Sequence, residues 1–170
     1  MNQEPRAKMQ SSSILNPNPI IVAFLCNWCS YTGADLAGTS RMKYASNIRV
    51  IRVMCSGRID PTFVLKSFTE GADGVLLCGC HPGDCHYHEG NYKCLRRFHV
   101  LQKYIDQMGI DKKRLRLEWI SASEGKEFAE LANEFSDDIQ KLGRTGIKEE
   151  MKVGSLQSAV GSPQSTAFSQ

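Results

Sequence analysis

Apolar and polar positions follow two alternating rhythms along this chain, and together they predict four strands and four helices. Ile20 to Leu25 is an unbroken apolar run, the pattern of a strand buried on both faces. From Gly33 to Ser46, Ala34, Ala37, Arg41, Tyr44 and Ala45 fall at helical spacing, which predicts a first helix. Ile48 to Met54 is rich in β-branched residues and reads as a second strand. Asp60-Pro61 starts a second helix, an N-cap oxygen followed by proline at the first helical position, with Val64, Leu65 and Phe68 as its stripe and Gly71 closing it. Gly74 to Cys78 is the third strand. Leu95, Phe98, Leu101, Ile105 and Met108 recur every three or four residues, so Lys93 to Met108 is an amphipathic helix ended by Gly109. Leu115 to Ile120 alternates as a strand with one wetter face. Ser121 with Glu124 has the form of a capping box opening a last helix striped by Phe128, Leu131, Phe135, Ile139 and Leu142.

Strands alternating with helices predict an α/β fold, a small doubly wound, mostly parallel four-stranded sheet with flanking helices. The parallel winding bears directly on the cysteines. Cys26 and Cys29 follow the first strand, Cys55 the second, and Cys78, Cys80 and Cys85 close or follow the third. In a parallel sheet the carboxyl ends of all strands lie on one rim, where ligands bind, so the six thiols are expected to converge there.

Composition narrows the class. With 170 residues, 41% apolar and 23% charged, the chain has room for one globular domain, taken as residues 19–143, between flexible arms at 1–18 and 144–170. A formal net charge of +3 is short of the basic excess that would argue for nucleic acid. No apolar run approaches the ~18 residues of a membrane span, and Met1 to Pro19 lacks the apolar core of a secretory signal; a cytoplasmic location is expected. Between Lys93 and Arg116, eight Lys or Arg face two Asp, which reads as a solvated helix or as a surface for an acidic partner.

Seven cysteines in a chain able to build its own core point to metal or redox chemistry rather than disulfides. Leu77-Cys78-Gly79-Cys80-His81-Pro82-Gly83-Asp84-Cys85-His86-Tyr87-His88 stops a strand and turns it tightly, pointing soft ligands at one centre. Four thiolates suit an iron–sulfur cluster. Zinc accepts the same donors, and Cys26-x-x-Cys29 after a first strand also fits a thioredoxin-like dithiol. His81, His86 and His88 could replace thiolates but are better suited to hydrogen bonding or to facing a partner. Trp28, between two cysteines, is placed to shield a cluster, and Cys94 lies beside the apolar stripe of its helix as a small core residue. No phosphate loop, Ser/His/Asp set or carboxylate pair stands out, so no catalysis by the chain itself is indicated.

Phe24-Leu25-Cys26-Asn27-Trp28-Cys29, Arg52-Val53-Met54-Cys55-Ser56-Gly57-Arg58, and Cys78-Gly79-Cys80-His81-Pro82-Gly83-Asp84-Cys85-His86-Tyr87 with Gly90-Asn91 resemble the delta subunit of methyl-viologen-reducing (F420-non-reducing) hydrogenase over roughly Ile20 to Leu142. The resemblance implies a [2Fe-2S] electron carrier that links a hydrogenase, or a formate dehydrogenase, to the flavin-bearing subunit of heterodisulfide reductase in an electron-bifurcating complex. It carries the metal-site motifs onto Cys26, Cys29, Cys55, Cys78, Cys80 and Cys85. Cys26, Cys55, Cys80 and Cys85 are the favoured four, because Cys78 still belongs to its strand and Cys29 can point into the next helix.

Overall fold

The computed structural model describes residues 16–148 of the chain. The strands β1 (Ile21–Cys26), β2 (Ile48–Val53), β3 (Gly74–Gly79) and β4 (Leu115–Trp119) form one sheet in the order β2-β1-β3-β4, and every neighbouring pair is parallel. The expected architecture is present, with no antiparallel edge among these strands. Helices α1 (Ser30–Thr39) and α4 (Gly125–Leu142) cover one face, and α2 (Pro61–Thr69) and α3 (Gly90–Gln107) cover the other.

Burial explains the strand patterns. The central strands β1 and β3 are sandwiched, so their residues are apolar and almost wholly buried, whereas the edge strand β2 leaves Val50 and Ile51 exposed on opposite faces. Alternation then sorts each strand between two cores. Ile21, Ala23, Leu25, Leu76 and Cys78 pack with Phe128, Phe135 and Ile139, while Phe24, Val75 and Leu77 pack with Phe68, Leu101 and Ile105. Burying each large side chain contributes on the order of 1.5–3 kcal/mol.

The element ends differ from the sequence pattern in instructive ways. Asp60 caps α2 as expected, its carboxylate accepting from the Thr62 amide at 2.9 Å. The Ser121–Glu124 box forms only by half: Glu124 Oε2 accepts from the Ser121 amide at 2.6 Å, but the Ser121 hydroxyl meets Ser123, and α4 begins at Gly125. Helix α1 begins at Ser30 rather than Gly33, because the buried Ser30 hydroxyl accepts from the Cys26 amide at 2.8 Å and donates to Cys78 O at 2.9 Å, turning the chain immediately after β1.

The expected arms, 1–18 and 144–170, lie largely outside the described residues; the described parts are tied down. Asp73 Oδ2 accepts from Asn16 Nδ2 at 2.9 Å and from the Ile20 amide at 3.0 Å, and its Oδ1 accepts from the Thr145 amide at 3.3 Å. Among the described residues no helix is long and apolar enough to cross a membrane.

Candidate metal centre

Strand order puts the cysteines at a point of special geometry. β1 continues to β2 on one side, and the chain returns to place β3 on the other, so the connections after β1 and β3 diverge and leave a crevice between their carboxyl ends. Cys26 ends β1 and Cys80 follows β3, one on each side of that crevice.

Five thiols gather there in two groups. The Sγ atoms of Cys26, Cys29 and Cys80 all lie within 4.8 Å of one another, with Cys26 and Cys80 at 3.8 Å. Cys55, just after β2, and Cys85, in the loop after β3, have their sulfurs 3.9 Å apart. All five are buried. The sixth candidate, Cys78, is not brought to them: it is fully buried within β3, paired with Leu25 and Glu118, and packs in the core against α1 and α4. Cys94 packs in the opposite core.

Two further features fit a bound group. A Cβ on Gly90, at the start of α3, would overlap Cys55 Sγ and come within 3.1 Å of Cys85 Sγ; a Cβ on Gly57 would come within 2.7 Å of Gly90 Cα. The two glycines thus let a turn and a helix end close over the Cys55–Cys85 pair. The Ser56 hydroxyl, beside Cys55, is the one buried side-chain polar atom without a partner among the described residues.

Backbone amides near the sulfurs favour their anionic forms: those of Trp28 and Ser56 at Cys26, Gly57 at Cys55, His86 at Cys80, and Tyr87, Asn91 and Gly90 at Cys85. Gly90 and Asn91 open the 18-residue helix α3, whose positive N-terminal end therefore faces Cys85. Such donors stabilise anionic sulfur. The neighbouring Cys29 thiol, acting with the Trp28 and Ser56 amides against burial, holds the Cys26 thiol down to about 5, while the same neighbour and burial push Cys29 far up. Burial raises Cys85 but its amide donors outweigh it, leaving the thiol below its ordinary value. Burial dominates elsewhere, raising Cys80, pushing Cys55 up to about 11 and Cys94 up to about 12.

The loop that carries Cys80 and Cys85 is braced from outside. Buried Asn91 donates to His81 O at 2.8 Å and Cys80 O at 3.3 Å, and His81 Nε2 meets Glu124 Oε2 at 2.8 Å. Gly83 at φ +97° and His88 at φ 64° make the reversals that return the chain to Gly90. Trp28 stacks on His86 with centroids 4.0 Å apart, and Tyr87 meets His86 edge-on, an aromatic roof at the rim that leaves Trp28 46% exposed. His81 and His86 line the cavity beside Cys29 and Cys80, His88 follows in the turn back to Gly90, and the grouping of Cys26, Cys29 and Cys80 contains no histidine. Ser30 and Ser56, neither singled out by the sequence pattern, are the buried hydroxyls of the site; a serine directly after a cysteine in both motifs is the signal that was available.

This arrangement can hold a metal or an iron–sulfur group: soft donors, amides that compensate their charge, and glycines that let the backbone close over a thiol pair.

Comparison with known proteins agrees. A family model described as the delta subunit of methyl-viologen-reducing hydrogenase matches residues 21–143. The chain is 57% identical over 134 residues to the vhc iron-sulfur D protein of the F420-non-reducing hydrogenase of Methanococcus voltae, covering 79% of this chain and 93% of that one. It is 55% identical over 125 residues to the iron-sulfur D protein of the F420-non-reducing hydrogenase of Archaeoglobus profundus, covering 74% and 91%. It is also 51% identical over 137 residues to the A protein of the ferredoxin/F420H2-dependent CoB-CoM heterodisulfide reductase of Methanosarcina acetivorans, covering 79% of this chain but 17% of that one.

Proposed function

This chain belongs to the methyl-viologen-reducing hydrogenase delta-subunit family, and on that premise we propose that it is an electron carrier holding one [2Fe-2S] cluster, with Cys26 and Cys80 on one iron and Cys55 and Cys85 on the other. The observation that carries this reading is the spacing of the two thiol pairs, 3.8 Å and 3.9 Å. Two thiolates on one tetrahedral metal, with metal–sulfur bonds of about 2.3 Å, stand about 3.8 Å apart. Each pair therefore has the span of one metal. In a four-iron cluster each iron takes a single protein thiolate, so the ligands have no reason to pair this closely. Cys29 is then a fifth thiol beside the first pair, and Cys78 a core residue.

When bound, such a cluster accepts and releases a single electron without making or breaking a bond to substrate. The chain's part is to set the potential and the position. Amides near Cys26, Cys55, Cys80 and Cys85 favour the more negative, reduced state, as does the amino end of α3. The rim location keeps the centre buried but close to the surface, within reach of neighbours' cofactors.

The neighbours we propose are a hydrogenase, or a formate dehydrogenase, as donor, and the flavin-bearing subunit of heterodisulfide reductase as acceptor, in a cytoplasmic complex that bifurcates electrons. Two kinds of relative support this. Some are iron-sulfur proteins named for a hydrogenase, and others are heterodisulfide reductase A proteins in which the matching region is a small part of a longer chain. A region joined to a reductase in one protein and separate in another is suited to work beside that reductase. The test is rapid mixing, without oxygen, of the dithionite-reduced chain with a purified heterodisulfide reductase A protein. Reoxidation of the chain with matching flavin reduction supports the proposal; flavin that stays oxidised beside a reduced chain overturns the acceptor assignment.

A further inference from the structure

The metal centre reaches the surface at two mouths of different chemistry. On the Cys29–Cys80 side the cavity, about 280 Å³, is lined by Trp28, His81, Asp84 and His86. On the Cys55 side is a wider groove of about 570 Å³, lined by Met54, Cys55, Arg58, Tyr87, Lys93 and Arg97. A second hollow shares Met54, Gly57, Arg58 and Arg97 with it and extends to Phe63 and Asp60.

This second face is apolar at its floor and rim and cationic at its sides. Met54, at 60%, is the most exposed large apolar side chain among the described residues; Tyr87 and Phe63 are 51% and 49% exposed. Each would lose water on docking. Three cations face two carboxylates, Glu89 and Asp60. Arg58 has no ion pair among the described residues, and Lys93 has only an exposed contact to Glu89 at 3.6 Å. Arg97 has no ion pair among the described residues, and its guanidinium donates to the carbonyls of Gly57 at 2.7 Å and Ile59 at 3.0 Å. The Asp60 carboxylate is engaged by the Thr62 amide and hydroxyl at 2.9 and 2.7 Å. A second copy of this chain is a poor occupant, because a two-fold contact would bring Arg58, Lys93 and Arg97 against themselves.

We propose that this groove is the docking site of one electron-transfer partner, which seats a segment bearing Asp or Glu side chains between Arg58 and Lys93 and an apolar side chain against Met54, Phe63 and Tyr87. The inference rests on the electron-carrier reading and deepens it. A partner seated here lies on the Cys55–Cys85 iron, and the Trp28–His86 mouth stays free for a second partner on the Cys26–Cys80 iron. The relay then has an entry and an exit at different ends, and only one of them is steered by charge.

The test uses the full chain with its metal centre, together with a purified hydrogenase and a purified heterodisulfide reductase A protein. In the Arg58→Glu/Lys93→Glu double variant, affinity for one of these two partners is expected to fall at least about tenfold and to lose its salt dependence, with the other partner's affinity and the visible spectrum unchanged. Arg58→Gln/Lys93→Gln gives a smaller loss in the same direction. A photo-crosslinking side chain at position 54 in the assembled complex should join a peptide rich in Asp or Glu. Unchanged affinity for both partners, or a crosslink to a second copy of the chain, overturns the proposal. A chain that binds in this charge-dependent way yet carries no iron would overturn the electron-carrier reading instead.

Discussion

Gly90 lies so close to Cys55 that the position a Cβ would take at residue 90 is already filled by the Cys55 sulfur. The helix start and the turn after β2 meet over a thiol pair, and only glycine permits the approach. Gly90→Ala must displace Cys55, Cys85 or the first turn of α3. Purified without oxygen, this variant is expected to lose most of its iron and visible absorbance while keeping wild-type far-ultraviolet dichroism. Full iron content would show that the site does not depend on this contact.

The proposed ligand set predicts different outcomes at different cysteines. Cys55→Ser and Cys80→Ser each remove one member of a pair and are expected to lose the cluster. Cys78→Ala removes a sulfur from the α1/α4 core and costs about 1 kcal/mol of stability, with iron retained. Cys94→Ser also keeps its iron. Iron analysis and urea unfolding on the four variants check all of these together.

Ser56 offers a finer probe. Its buried hydroxyl has no partner among the described residues and sits beside Cys55. If it donates to the bound group, Ser56→Ala keeps the cluster but shifts its midpoint potential to a more negative value, read by a spectroscopic redox titration. An unchanged potential would separate the hydroxyl from the centre.

Glu124 ties the ligand loop to α4. The Ser121 amide first, and His81 second, hold its carboxyl below the usual glutamate range. Its contribution is therefore fully present above the unfolded value of about 4.3 and is lost as pH falls through the lower folded value. The stability advantage of wild type over Glu124→Gln is expected to be constant near neutrality and to vanish in acid, as measured by urea midpoints across pH.

Arg114 secures the far end of the fold. Its guanidinium donates to Asp73 O at 3.0 Å and to Gly143 O and Leu142 O at 2.8 Å, the last two at the carboxyl end of α4. Arg114→Leu leaves these carbonyls without their donor and is expected to cost about 2–4 kcal/mol, visible as a lower urea midpoint with no change in the iron spectrum.

The fold was legible because burial writes itself into strands directly. Ile20 to Leu25 and Gly74 to Cys78 are apolar throughout, since both faces of β1 and β3 are covered, and parallel winding then places Cys26, Cys55 and Cys80 on one rim. Cys78 shows the limit of counting thiols by position: it alternates with Leu76 onto the α1/α4 face, so strand period removes it from the rim. The nearness of Gly57 to Gly90 and the isolation of the Ser56 hydroxyl arise from segments more than thirty residues apart, and no local pattern records them. Glu124 keeps its bond to the Ser121 amide, but the Ser121 hydroxyl does not return it, because the Glu124 amide donates to Ser121 O at 3.3 Å, the hydroxyl meets Ser123 and the helix starts later.

Whether two thiol pairs hold two irons is decided by a Mössbauer spectrum of iron-57-enriched protein purified without oxygen, with iron, acid-labile sulfide and zinc determined on the same sample. Two irons and two sulfides per chain are expected, with a diamagnetic oxidised pair and distinguishable ferric and ferrous sites after one-electron reduction. One zinc per chain without sulfide, or the spectrum of a four-iron cluster, would contradict the two-iron reading.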